Sequence, residues 1–167
     1  MIIFLMCFVL LNLYPNNINI DNTEDFAKLY LENIKNKTMR AISIVESNDG
    51  ENTNHLILPN NQFAIGKYGL MPQTIKYIIK SDEKYANYRF ILNYNNYKLN
   101  DYLKKYPQVS KQIAYTYYDF IVKELGTIEP AYIGYAWLNG PNKAKRKLKI
   151  NLSSHWHVRK IISAFNS

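Results

Sequence analysis

Apolar residues recur at helical spacing through most of this chain, and the strict alternation of a half-buried strand is rare. Thr23 stands where a helix cap belongs, and Phe26, Leu29, Tyr30 and Ile34 then share one face of a helix running to about residue 37. A second helix over 38–47 buries Met39, Ile42 and Val45, and ends at Glu46 and Ser47 against a loop. That loop, 48–65, is rich in Asn and contains Gly50 and Pro59, so regular structure in it is sparse beyond a short hairpin around 55–63. Pro72 suits the first turn of a helix through about residue 80, and 85–97 and 99–106 read as further helical material. Pro107 opens the strongest helix, through Leu125, with Val109, Ile113, Tyr117, Phe120, Ile121 and Leu125 on its apolar face and Gly126 as its stop. Pro130 starts another, through about Leu138, closed by Asn139, Gly140 and Pro141. A basic segment over 143–149 and an amphipathic helix over 153–165 complete the chain. The expected fold class is mainly α, a single helical domain with a long loop or small hairpin after the helix that ends at Glu46.

Residues 2–11 form an unbroken apolar run, and no charged side chain precedes Asp21. The run is short for a bilayer span and has the character of a secretory leader. Residues 1–20 are therefore read as a signal peptide or, uncleaved, as an N-terminal membrane tether, leaving 21–167 as the domain. Export places the protein in the periplasm or cell envelope. The one cysteine, Cys7, lies inside the run, so a chain that loses its leader has neither a disulfide nor a thiolate metal site.

A length of 167 residues with 47% hydrophobic content suffices for one packed core. The formal charge of +8 favours an acidic partner. Lys, Asn, Ile and Tyr are also the residues of AT-rich codons, so base composition accounts for part of that excess. Without a paired-cysteine finger, a basic heptad helix or aromatic RNA-binding strands, nucleic acid is not expected as a partner. His155 and His157 form a pair that no further ligand joins, so surface or packing roles are assigned to both, as to His55, and neither a metal nor a cofactor is expected.

Three segments carry a likeness. The first is Ala41-Ile42-Ser43-Ile44-Val45-Glu46-Ser47, a helix closing on a Glu-Ser pair. The second is Gly66-Lys67-Tyr68-Gly69-Leu70-Met71-Pro72-Gln73-Thr74, and the third is Tyr135-Ala136-Trp137-Leu138-Asn139-Gly140-Pro141. In order and spacing they resemble the soluble lytic transglycosylase family of the lysozyme superfamily, over roughly residues 38–143. The resemblance implies a lysozyme-like α+β domain that cleaves peptidoglycan glycan strands without a cofactor. Glu46 is then the catalytic acid and base, giving a proton to the leaving oxygen and taking one from the muramic 6-hydroxyl as a 1,6-anhydro ring closes. Burial at the end of an apolar helix is what would raise its pKa enough for this work.

The same resemblance places Ser47, Tyr68, Met71, Tyr135, Trp137 and Asn139 around the sugar. Ser47 equally suits helix-end capping, and Met71 core packing. Trp137 stands where the family has tyrosine, with Tyr135 as the neighbouring candidate, and Asn139 replaces the family's asparagine one position along. The family's glutamine is replaced by Gly69, so any polar contact made by that side chain is missing. Two readings compete with the transglycosylase: a muramidase that recruits Asp49 or Glu51 as a second carboxylate, and a catalytically impaired glycan-binding component of a secretion, conjugation or pilus apparatus.

Overall fold

The computed structural model describes residues 23–49, 64–148 and 150–167. The apolar run, Cys7, Glu51, His55 and the expected hairpin around 55–63 lie outside them. The chain divides into a unit of Met1–Asn33 and a unit of Ile34–Ser167. The described residues are mainly helical, and no described helix is long and apolar enough to cross a membrane.

Helix α1 spans Thr23–Ser47 without the break expected near residue 38. Thr38, the expected first residue of a second helix, is fully buried, and its hydroxyl donates to the carbonyl of Ile34 at 2.8 Å, one turn back. That bond satisfies the hydroxyl inside a continuous helix and removes the reason to start a new one. The expected apolar face of the first half is not buried, with Phe26 and Leu29 52% and 70% exposed. From Thr38 onward a buried stripe forms through Met39, Ile42 and Ser43, at the three- and four-residue steps of one helix face. Glu46 continues the same stripe, so the helical period itself carries the carboxylate toward the core.

Past Ser47 the helix ends in two left-handed residues, Asn48 at φ 52° and Asp49 at φ 57°. Asn and Asp are the non-glycine types that tolerate this region best. The Asp49 amide donates back to the carbonyl of Ser43 and the Asn48 amide to that of Ile44, closing off carbonyls of the last turn. After the undescribed segment, Ile65 and Leu70 pair as an antiparallel bridge that encloses the turn Gly66-Lys67-Tyr68-Gly69.

Helix α2, Pro72–Ser81, places Pro at its first turn and buries Ile75, Ile78 and Ile79. A 3-10 helix over Glu83–Asn93 packs on it. Helix α3 is Asn96–Lys105, capped by the Asn95 side chain, which accepts from the Lys98 amide. Helix α4, Pro107–Leu125, is the hub, packing against α2 and α3 and against two later helices, α5, Pro130–Asn139, and α6, Pro141–Lys145. Its apolar face is the expected one apart from Phe120, which is half-buried, and Gly126 stops it at φ 67°. The last helix, α7, Trp156–Asn166, starts three residues later than the pattern suggests and packs closely on α5. Gly134 permits this approach, because a Cβ there would lie 3.0 Å from Ile161.

Candidate active site

Glu46 occupies the last turn of α1 with its side chain only 17% exposed. Burial lifts its pKa from 4.5 to about 7. The negative end of the helix dipole acts in the same direction. Near neutral pH the carboxyl therefore keeps its proton about half the time, which suits it to both donation and acceptance.

The turn at 66–69 lies directly against this group. At φ 59°, Gly69 brings its backbone so close that a Cβ would stand 2.6 Å from Glu46 Oε2 and 3.0 Å from Cδ. Glycine at this position spares Oε2 the collision that any side chain would make with it. Ser47 ties the turn to the helix end: its buried hydroxyl contacts the carbonyl of Lys67 at 2.6 Å and that of Ser43 at 3.0 Å. Asp49 adds a second tie, accepting from Lys67 Nζ at 2.8 Å and from Ser43 Oγ at 2.7 Å. These two hydrogen bonds hold the Asp49 carboxyl below the usual carboxylate range, so it stays ionised as a clamp on the turn.

The expected sugar-contacting residues divide into two groups. Ser47 and Tyr68 come together with Glu46 around the turn, Ser47 as a structural tie and Tyr68 as part of a wall. Tyr68 lines an open cavity of about 660 Å³ with Asp49 and Lys67 on one side and Leu103, Lys104 and Lys111 on the other. Burial first, then Tyr115 and Asp49, pushes the Tyr68 hydroxyl up to about 12, which keeps it a hydrogen-bond donor at all physiological pH. Glu46 itself is not on this cavity wall; it lies behind the turn that forms part of it.

Tyr135, Trp137 and Asn139 are engaged inside the fold. Trp137 is 8% exposed, and its indole Nε1–H donates to the carbonyl of Tyr68 at 2.9 Å, bracing the turn from α5. Tyr135 meets the His155 ring edge-on at 5.0 Å. Asn139 donates to the carbonyl of Tyr135 and accepts from Lys143. Met71 is the residue before α2, half-buried at the foot of the turn. Replacing Trp137 by Phe keeps the ring but strands the Tyr68 carbonyl. Its expected cost is about 1–3 kcal/mol, measured as a lower urea midpoint with unchanged slope.

His157, for which the sequence suggests a surface or packing role, is a functional candidate. It is 2% exposed, and its Nε2 lies 3.4 Å from Glu46 Oε1. Burial, then the charges of His155 and Lys160, pushes the imidazole down to about 4, so it is neutral wherever Glu46 is active. A signal was available: His157 shares the buried face of α7 with Val158 and Ile161, which is unusual company for a surface histidine. Among the described residues no three His, Cys, Asp or Glu side chains come together as a metal site requires. Comparisons with protein-family models, with characterised proteins and with solved structures find no match to this chain.

Proposed function

We propose that this chain is a peptidoglycan lytic transglycosylase of lysozyme-like α+β fold, exported to the cell envelope, in which Glu46 acts first as general acid and then as general base. The observation that carries the reading is a carboxyl group buried at a helix end and raised to about 7, with Gly69 presenting no side chain against one of its oxygens. The protonated form hands its hydrogen to the oxygen of the MurNAc-GlcNAc β-1,4 bond as positive charge grows on the muramic ring. The resulting carboxylate then removes the 6-hydroxyl proton while that oxygen closes on the anomeric carbon. The proton returns to Glu46, the 1,6-anhydro ring forms, and no water is consumed.

The state of Asp49 weighs against the hydrolytic alternative that recruits it, while Glu51, the other candidate carboxylate, lies outside the described residues. A muramidase needs a second carboxylate across the scissile bond, as nucleophile or as base for a water. Asp49 is instead occupied by Lys67 and Ser43. The surplus of Lys and Arg over acidic residues suits an acidic wall polymer, and the lysines on the cavity rim carry part of it to this face.

Digestion of purified sacculi followed by mass spectrometry tests the proposal. Anhydro-muramic products, formed at a rate that falls as pH rises through about 7, are the expected outcome. Reducing-end products alone would make the enzyme a muramidase. Glycan binding with no cleavage at any pH would make it a binding component of an envelope apparatus.

A further inference from the structure

His157 Nε2 is buried and has no hydrogen-bond partner, and Glu46 Oε1 stands 3.4 Å away. A buried polar nitrogen left in that condition costs stability comparable to a lost hydrogen bond, so such groups are nearly always satisfied. A small swing of the Glu46 carboxyl closes the gap. Burial of the ring, His155 just before α7 and Lys160 within it all oppose a charged ring and outweigh the attraction of the Glu46 carboxyl 3.4 Å away, while the neighbouring Tyr135 ring faces His155. The ring is therefore a neutral imidazole, with one nitrogen protonated and one bare.

We infer that His157 is a positioning residue of the catalytic centre, its Nε2–H donating to Oε1 of Glu46 so that the acid's own hydrogen is directed to Oε2, the oxygen against which Gly69 presents no side chain. This rests on the functional reading above and extends it. An unconstrained carboxyl divides its hydrogen between two oxygens, and only the one that faces the substrate is productive. With Nε2–H on Oε1, that oxygen is favoured as the carbonyl acceptor, and the transferable hydrogen is biased toward Oε2. After transfer the same donor steadies the new carboxylate, which then accepts the 6-hydroxyl proton at Oε2. The contact also replaces what the turn lacks. A side chain at 69 cannot reach the carboxyl without colliding with it, so the polar contact comes from α7 on the opposite side.

Two measurements test the inference. The first reads the ring directly, by a proton–nitrogen correlation spectrum of histidine-labelled protein at about pH 6. The expected result is a neutral His157 protonated at Nε2. A ring protonated at Nδ1 with bare Nε2, or an imidazolium, overturns the inference. The second is kinetic. His157→Phe is expected to lower kcat by on the order of a hundredfold with KM nearly unchanged, because the hydrogen is misplaced while the sugar contacts remain. Loss of the donor also removes stabilisation of the carboxylate, so the alkaline limb of the pH profile moves up. His157→Gln, which retains an N–H donor, recovers part of the rate and returns the limb toward its original position. A His157→Phe enzyme with wild-type kcat, or a limb that His157→Gln leaves at the Phe position, overturns it. If the wild-type protein leaves sacculi whole, the transglycosylase reading falls, while the nitrogen spectrum still decides the His157 contact.

Discussion

Replacing Glu46 by Gln is expected to abolish glycan cleavage while making the protein more stable at alkaline pH. The first effect follows from removing the carboxyl that gives and takes the proton, a loss of at least roughly a hundred- to ten-thousandfold. The second follows from the raised pKa. Below pH 4.5 the Glu46 carboxyl is protonated in folded and unfolded chains alike, and its burial carries no ionisation penalty. Between 4.5 and about 7 the unfolded chain ionises first, so the folded state is progressively disfavoured. Above about 7 the penalty levels off at about 3 kcal/mol. An amide never ionises, so Glu46→Gln escapes that penalty. Its melting temperature should match the wild type near pH 4 and exceed it by roughly 6–12 °C at pH 8. Equal melting temperatures at pH 8 would show that Glu46 ionises as an ordinary surface carboxylate, and the acid-base assignment would fail with them. A purely structural glutamate predicts the reverse sign, because loss of a paired carboxylate destabilises most at high pH.

The same pair of outcomes separates an enzyme from a binding component but not one enzyme from the other. A muramidase with Glu46 as acid loses activity in the same way, so product chemistry must decide between the two enzymes. A glycan-binding component has no activity to lose, yet it would still gain the alkaline stability, because that depends only on the carboxyl's burial.

Helix α4 was readable because its signals are local. Pro107 at the first turn, apolar residues at helical spacing and Gly126 beyond the end all lie within one stretch of chain, and each acts on its immediate neighbours. The burial of Glu46 was readable for a related reason, since Met39, Ile42 and Glu46 share a face by helical period alone. The break expected near residue 38 is absent because the Thr38 hydroxyl bonds back to the preceding turn, which only the continuing chain decides. Trp137 is a different case. Motif alignment placed it at the sugar, whereas its N–H is spent on the Tyr68 carbonyl, a bond between positions far apart in sequence. The approach of His157 to Glu46 is likewise tertiary, set by how α7 lies against α5, and no short motif records it.

Gly69 supplies the second large effect, because two independent penalties meet at one atom. Gly69→Ala places a Cβ in the left-handed region, at about 1–2 kcal/mol, and drives it to 2.6 Å from Glu46 Oε2 and 3.0 Å from Glu46 Cβ. Relief requires the carboxyl or the turn to move, yet the turn is fastened by Ser47, Asp49 and Trp137, so the carboxyl yields. The expected result is a destabilisation of at least about 2 kcal/mol with a fall in kcat on the order of a hundredfold, since displacements of this size spoil proton-transfer geometry. Gly126→Ala is the matched control. Its φ of 67° imposes the same backbone penalty, but nothing lies within 4 Å of the added methyl. It should lose about 1–2 kcal/mol and retain full turnover. Gly69→Gln, which restores the residue implied by the family resemblance, should fare no better than Ala, because the collision begins at Cβ and a polar tip cannot undo it. Denaturant titration and sacculus digestion of the three variants give the comparison. If Gly69→Ala keeps wild-type turnover while losing only what Gly126→Ala loses, the approach of the turn to the carboxyl has no catalytic meaning, and Oε2 is not the oxygen through which the proton leaves.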